Sequence, residues 1–288
     1  MSYSSDLSPK NLGTDEDEVM YVITRTGRRE ALDTNQITKR LQSLINRSPK
    51  IPHVNPYELM LEVCKGLKSG ITTYEIDEYA ANASASLSIT NPYYLKIAAR
   101  IVIDNHQKNT QRSFVDKMRK LYLNQDDQGK INSLIAQDFF KYVEEHQDFI
   151  ERTIDYNRDF YLDFFGFQTF TRSYSMKVDE KPIERPQDMF MRTAIDLHMN
   201  TCDTVEEELQ NIKTTYEALS LKFYTHASPT YYNAGSEKKQ YASCFLLGTH
   251  DSREGIMRTA DHISAISKYS GGIGVHINCL HGYRDWET

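Results

Sequence analysis

Apolar positions near the start of the chain alternate briefly and then change period. Met20-Tyr21-Val22-Ile23-Thr24 reads as a short strand, Arg25-Thr26-Gly27-Arg28 as a polar turn, and Arg29-Glu30-Ala31-Leu32 as the returning strand of a hairpin. A helical period follows, with Ile37, Leu41, Leu44 and Ile45 on one stripe behind a cap at Thr34 or Asn35. Asn55-Pro56 supplies a cap and a first-turn proline for a second helix, predicted to run through Leu67 and stop at Gly70. Thr72-Thr73-Tyr74-Glu75 predicts a capping box ahead of Ile76, Tyr79, Ala80 and Ala83. Asn91-Pro92 opens a fourth helix that turns Leu95, Ala98, Ala99 and Val102 inward.

From about residue 113 the pattern stays helical. Phe114, Met118, Leu121 and Tyr122 share one stripe, and Ile135, Phe139, Phe140 and Tyr142 another. The aromatic patch from Tyr156 to Tyr174, with Phe160, Tyr161, Phe164, Phe165, Phe167 and Phe170, reads as core. A helix beyond Pro186 carries Met189, Met191 and Ala194 into that core, so its segment is assigned to packing. Glu206 to Leu221 forms another amphipathic helix through Leu209, Ile212, Tyr216 and Leu219. Cys244-Phe245-Leu246-Leu247 is a short apolar run after polar Ser243 and predicts a buried strand whose start faces a pocket. The expected fold is mainly α with a little β, followed by the first strands of an α/β barrel.

Composition narrows the partners. The 288 residues are 39% hydrophobic and 26% charged, with a net charge of -6, which leaves no basic footprint for a nucleic-acid polymer. No apolar run approaches the ~18 residues of a membrane span. Residues 1–19 are polar, contain Asp15-Glu16-Asp17-Glu18, lack an apolar signal core, and are expected to form a disordered acidic tail in a cytoplasmic protein. Cys64, Cys202, Cys244 and Cys279 form neither a CxxC nor a zinc-like cluster, so thiols are expected and a metal is not.

Two groups of residues can carry chemistry. The glycine turn between Arg25 and Arg28, with the helix start at Thr73, offers amides and cations to phosphate; the same residues also suit an ordinary solvated hairpin. Further on, Ser228 and Ser243 supply short hydroxyls, and Gly271-Gly272-Ile273-Gly274 lets backbone approach a ligand closely. Cys244 between them is either an inert buried cysteine or a redox thiol. Asp251-Ser252 reads as a helix start, and its carboxylate can also accept a ribose hydroxyl.

Several of these runs carry a family resemblance. Val22-Ile23-Thr24-Arg25-Thr26-Gly27-Arg28, with Gly70-Ile71-Thr72-Thr73 and Asp77, resembles the ATP-cone at the front of many ribonucleotide reductases. Ile183-Glu184-Arg185-Pro186-Gln187-Asp188-Met189-Phe190-Met191-Arg192 is similar to a segment of their large subunit. So are Thr225-His226-Ala227-Ser228-Pro229-Thr230, Ala242-Ser243-Cys244-Phe245-Leu246-Leu247 and Ser270-Gly271-Gly272-Ile273-Gly274-Val275, in this order.

The resemblance to class I large subunits implies a disordered tail (1–19), an ATP-cone (20–112), a helical domain (113–215) and the beginning of a ten-stranded barrel (216–288). It implies reduction of ribonucleoside diphosphates to their deoxy forms through thiol and thiyl chemistry. Cys244 is then a redox thiol, and Ser228, Ser243 and Gly272 touch substrate. Asp251, Ser252 and Lys268 hold a deoxynucleotide specificity effector. ATP or dATP lies against Thr24, Arg25, Glu30, Ala31, Leu32, Asp33, Thr34, Asn35, Gln36, Thr73, Asp77 and Lys108. The implied partners are a small subunit that bears the radical cofactor, thioredoxin or glutaredoxin, and a second copy of the chain.

Two departures stand out. Thr24 occupies a position where the family often has lysine. After Cys279 the sequence leaves the pattern, with His281 where arginine is expected and Leu280-His281-Gly282-Tyr283 thereafter. The remaining catalytic motifs of the family are not in these residues, so they are expected to show no turnover alone. Cys279-Leu280-His281-Gly282 also resembles the opening of an intein, with Cys279 as splice nucleophile. The alternatives to a reductase are a stand-alone ATP/dATP-sensing module and an inactive remnant.

Overall fold

A computed structural model describes residues 20–281. The acidic segment 1–19 and the residues from Gly282 onward lie outside the described residues. Helices dominate, and the chain divides into two compact units, Met1–Ile101 and Val102–Thr288.

The first unit opens on β1 (Tyr21–Ile23) and β2 (Arg29–Ala31), which pair antiparallel with Val22 opposite Glu30. Gly27 takes φ 78° in the connecting turn, where a side chain would strain the backbone. α1 (Thr34–Asn46) starts one residue earlier than the sequence suggests, because the Asp33 carboxylate accepts from the Asn35 amide and serves as the cap. Leu41, Leu44 and Ile45 are its buried face, with Ile37 at the edge.

α2 (Pro56–Cys64) is capped by Asn55 as expected, but ends at Cys64, not Leu67. Close approach of the Tyr79 ring requires glycine at position 66, just beyond that end; a Cβ there would sit 2.0 Å from it. β3 (Ile71–Thr72) pairs parallel with β1, Val22 opposite Ile71 and Ile23 opposite Thr72. α3 (Thr73–Leu87) carries the complete Thr72/Glu75 capping box. It buries Ile76 and Ala80, whereas Tyr79, expected inward, is 40% exposed. α4 (Tyr93–Asn109) follows Asn91-Pro92 and runs across the division between the units.

The second unit continues with α5 (Phe114–Tyr122), α6 (Gln137–Glu145) and α7 (Gln147–Thr153). Phe114, Met118, Leu121, Ile135, Phe139, Val143 and Ile150 are fully buried in one cluster. The aromatic patch forms a 3-10 turn at Tyr156–Tyr161, α8 (Phe164–Thr169) and a π turn at Phe170–Tyr174. Phe164, Phe167 and Phe170 are core, while Tyr161 and Phe165 are exposed. The short hairpin β4 (Lys177–Val178) and β5 (Lys181–Pro182) leads to α9 (Pro186–His198), which packs along α10 (Val205–Ser220).

α11 (Ser228–Asn233) precedes a parallel pair, β6 (Cys244–Gly248) and β7 (Gly272–His276), joined through α12 (Arg253–Ser267). The strand at Cys244 is not buried as the sequence suggests. Exposure alternates along it, with Cys244, Leu246 and Gly248 open and Leu246 90% exposed. Successive residues of a strand face opposite sides. Phe245 and Leu247 are the half-buried set, and a Cβ added at Gly271 would run into both the Phe245 ring and the side chain of α12 residue Ile266.

Candidate functional site

In the first unit the backbone gathers the predicted phosphate-binding residues. The β1–β3 register places the Thr24 turn beside the start of α3. Thr24 closes that turn itself: its carbonyl accepts from the Gly27 amide at 2.9 Å, and its hydroxyl accepts from the Arg28 amide at 3.1 Å. It also shares a hydrogen bond with the Thr26 hydroxyl at 2.9 Å. The Thr24 hydroxyl therefore shapes the loop.

The centre of this group is Asp77, only 4% exposed. Arg25 donates from the turn to its Oδ2 at 2.8 Å. Arg40, on α1, donates Nε to Oδ1 at 2.6 Å and Nη2 to Oδ2 at 2.8 Å. One carboxylate thus ties together the hairpin, α1 and α3. Arg40 escaped the sequence reading because its partner lies 37 residues away and its side chain sits beside an apolar stripe. Glu30, Ala31 and Asp33 to Gln36 are exposed along β2 and the start of α1, with Leu32 and Thr73 half-buried. Lys108 belongs to the second unit, where it pairs with Asp104 at 2.7 Å.

In the second unit the segment from Glu184 to Arg192 does pack, with Met191 and Ala194 fully buried. It also carries a buried polar network that hydrophobic pattern alone does not reveal. Arg192, 0% exposed, donates to both Glu184 oxygens at 2.6 and 3.1 Å and to the carbonyls of Tyr231 and Ala234 at 3.1 and 2.6 Å. Asp188 accepts from Lys117, from the Tyr156 hydroxyl at 2.7 Å and from the Arg185 amide at 2.6 Å. Burial pulls the Lys117 ammonium below the usual lysine range, against the pull of Asp188. Burial likewise raises Asp159 to about 7, although Gln107 and the Gln187 amide donate to it at 2.6 and 3.2 Å. His106 falls to about 4 for the same reason, with its ring against Phe167 and Nε2 on the Glu184 carbonyl at 2.8 Å.

This network positions the key stretch. Arg192 holds the end of α11 by its carbonyls, and Asp196 accepts from the Gly235 amide at 2.8 Å. From α11, Asn233 donates to the carbonyls of Gln240 and Tyr269 at 2.7 and 3.5 Å. Asn233, also missed from sequence, therefore draws together the segments that enter β6 and β7. Cys244 then lies directly opposite Gly272, whose amide donates to the Ser243 carbonyl at 2.7 Å. A side chain at Gly272 would press on that oxygen at 3.0 Å.

The Cys244 thiol is exposed, with the Ser243 hydroxyl 3.6 Å away. Ser228 is half-buried, and its hydroxyl pairs with Tyr174 at 2.8 Å. Ser252 caps α12 through the Gly255 amide at 3.0 Å. Asp251 accepts from His281 at ring and backbone, which holds its carboxyl below the usual range. Lys268 sits at the opposite end of the 15-residue α12, roughly 22 Å along the axis, and flanks the Tyr269 ring at 5.8 Å. One copy of the chain does not bring Asp251 and Lys268 together.

Among the described residues no helix is long and apolar enough to cross a membrane, and no three His, Cys, Asp or Glu side chains group as a metal site.

Comparison with known proteins matches residues 20–109 to the ATP cone domain and residues 160–239 to the ribonucleotide reductase all-alpha domain. Similar relatives are ribonucleoside-diphosphate reductase large subunits. That of Plasmodium falciparum (isolate Dd2) is 39% identical over 93% of this chain and 32% of its own length. That of Arabidopsis thaliana is 39% identical over 90% and 31%, and that of Danio rerio 38% over 91% and 32%. The chain spans about a third of the length of these curated relatives.

Proposed function

We propose a function from one premise, that this chain belongs to the ribonucleotide reductase large-subunit family. As the N-terminal portion of such a large subunit, the chain takes part in reducing ribonucleoside diphosphates to deoxyribonucleoside diphosphates under nucleotide control, and these residues by themselves are expected to show no turnover. In the balanced reaction, the ribose C2′–OH bond is replaced by C2′–H, water leaves, and two thiols become one disulfide. Cys244 supplies one of those thiols. The disulfide is returned to two thiols by thiol–disulfide exchange: a thiolate of the external dithiol reductant attacks one sulfur, and its second thiol resolves the mixed disulfide, leaving the reductant oxidised.

The observation that carries this reading is the pairing of Cys244 with Gly272. It places an accessible thiol beside a stretch of backbone with no side chain in the way. Ser228, Ser243 and Gly272 are assigned to the substrate. Asp251, Ser252 and Lys268 are assigned to a deoxynucleotide specificity effector. The activity effector, ATP or dATP, is assigned to Thr24, Arg25, Glu30 to Gln36, Thr73, Asp77 and Lys108. Functional domains at 20–112, 113–215 and 216–288, with β6 and β7 as barrel strands, complete the assignment. The corresponding partners are a radical-bearing small subunit, a thioredoxin-like reductant and a second copy, in the cytoplasm.

Thiol labelling tests it. A nucleoside diphosphate is expected to slow alkylation of Cys244 at least several-fold while leaving Cys64 and Cys202 unchanged. Equal labelling of Cys244 with and without nucleotide overturns the substrate site. A second reading, a nucleotide-sensing module without reductase chemistry, draws support from the open face of β6 at Leu246. Nucleotide binding at the hairpin with no protection of Cys244 favours it.

A further inference from the structure

We infer that Arg40 is a positioning residue of the nucleotide-sensing site, acting through Asp77 on Arg25. The inference rests on the reading of the hairpin as a nucleotide site. Nothing in the motif that suggested that site points to Arg40, which lies on the second turn of α1.

The geometry is specific. A guanidinium is a planar fork, and Arg40 uses two of its nitrogens on the two oxygens of one carboxylate, at 2.6 and 2.8 Å. That grip fixes the plane of the Asp77 carboxyl as well as its location. Oδ2, so oriented, is the same oxygen that receives Arg25 at 2.8 Å. Arg25 is therefore held on the ligand side of the Thr24–Arg28 turn by an oxygen whose direction Arg40 sets. Asp77 is 4% exposed, so water has little room to substitute for a lost guanidinium. The arginine side chains themselves are 28% and 27% exposed for Arg25 and Arg40. They stand at the boundary between the sealed carboxylate and solvent.

The elements joined by this triad are the ones that carry the nucleotide assignments in the first unit. Arg25 is on the turn, Arg40 on the helix that begins at Thr34, and Asp77 one turn beyond Thr73. Loosening the triad lets the turn, the start of α1 and the start of α3 move independently. A ligand that touches all of them then has to order them on binding, which weakens affinity.

Replacement of Arg40 by lysine separates placement from charge. Lysine keeps the cation but is a point donor and cannot grip both oxygens. Equilibrium titration of the whole chain with ATP and with dATP, at fixed salt, is the measurement. Arg40→Lys is expected to weaken binding about tenfold, the loss of one charge-assisted hydrogen bond at a preorganised site. In an Arg25→Ala background the same substitution is expected to change affinity less than about twofold, because its effect passes through Arg25.

Asp77→Asn removes the carboxylate charge at constant shape and is expected to reproduce the loss, with no further loss when Arg40→Lys is added. Thermal unfolding of each variant reports whether the fold persists. If Arg40→Lys unfolds the unit, the isosteric Asp77→Asn comparison in the Arg25→Ala background decides the coupling instead. Unchanged affinity in Arg40→Lys, or equal losses in both backgrounds, overturns the positioning role. Failure of the unsubstituted chain to bind either nucleotide overturns the sensing site itself, and the inference with it.

Discussion

Asp77 in the first unit and Asp188 in the second are both carboxylates held by cations, yet their surroundings give them opposite uses. Asp188 and Lys117 are 0% and 1% exposed, and the Tyr156 hydroxyl and Arg185 amide complete the carboxylate's hydrogen bonds. Nothing approaches from solvent, so the pair fixes one arrangement of α5, the aromatic turn and α9. Asp77 is as deeply placed, but its two arginines are more than a quarter exposed. The same chemistry therefore makes a sealed pin in one unit and a cluster with partly exposed cations in the other. Exposure of the partner, more than of the acid, separates the two.

The strongest way to break this contrast is to remove one partner from the sealed pair. Lys117→Met strands Asp188 and is expected to cost about 3–5 kcal/mol, read as a fall in the denaturant midpoint. A loss under ~1 kcal/mol would show that water reaches the pair and that it is no different from Asp77.

Acidity gives a second handle. The Asp159 pKa in the fold is raised to about 7, so the folded state holds a proton that the unfolded chain releases near the ordinary aspartate value. Its favourable contribution is complete at low pH and declines as pH rises toward 7. The His106 pKa is lowered to about 4, so its contribution is present above about 6.5 and declines as pH falls. The two slopes oppose each other between about pH 4 and 6.5. Asp159→Asn is expected to unmask a stability that only rises with pH across that window, and His106→Gln one that only falls. Denaturation midpoints across a pH series check both signs.

Asp77→Asn should be mild by comparison, up to about 1 kcal/mol of stability, because solvent screens the exposed arginines, while nucleotide affinity falls far more in proportion. A stability loss as large as that of Lys117→Met would make Asp77 a second structural pin. Least of all, Cys244→Ser is expected to shift stability by under about 0.5 kcal/mol, since the thiol is exposed and packs on little. A larger shift would mean the sulfur is part of a core.

The sequence discloses the features that local chemistry dictates. Gly27, the Asn55-Pro56 start and the Thr72/Glu75 box each act within four residues, and each appears where expected. Arg40, Asn233 and the pairing of Arg192 with carbonyls of α11 were not legible, because each depends on partners brought close only by tertiary folding. The helix at Pro186 shows why pattern misleads. Met189, Met191 and Ala194 mark a packed face correctly, but Asp188 and Arg192, whose charge suggests solvent, are as fully enclosed as Met191 and Ala194. Cys244 errs the other way. Its apolar neighbours suggest enclosure, and the alternation of the strand leaves it open.

Gly235 gives the enclosed arginine a reach beyond its own helix. Its φ is 75°, a Cβ added there would sit 3.2 Å from the Arg192 stem and 3.3 Å from the Phe139 ring, and its carbonyl receives the Ala136 amide at 2.8 Å. A side chain there would strain the left-handed backbone and press on the arginine and the ring that seat the bundle against the loop feeding the cysteine strand. Reactivity of the sulfur nine residues later then becomes a remote gauge of how well that bundle is seated, and an alkylation rate could report damage to a helix that the reagent never meets.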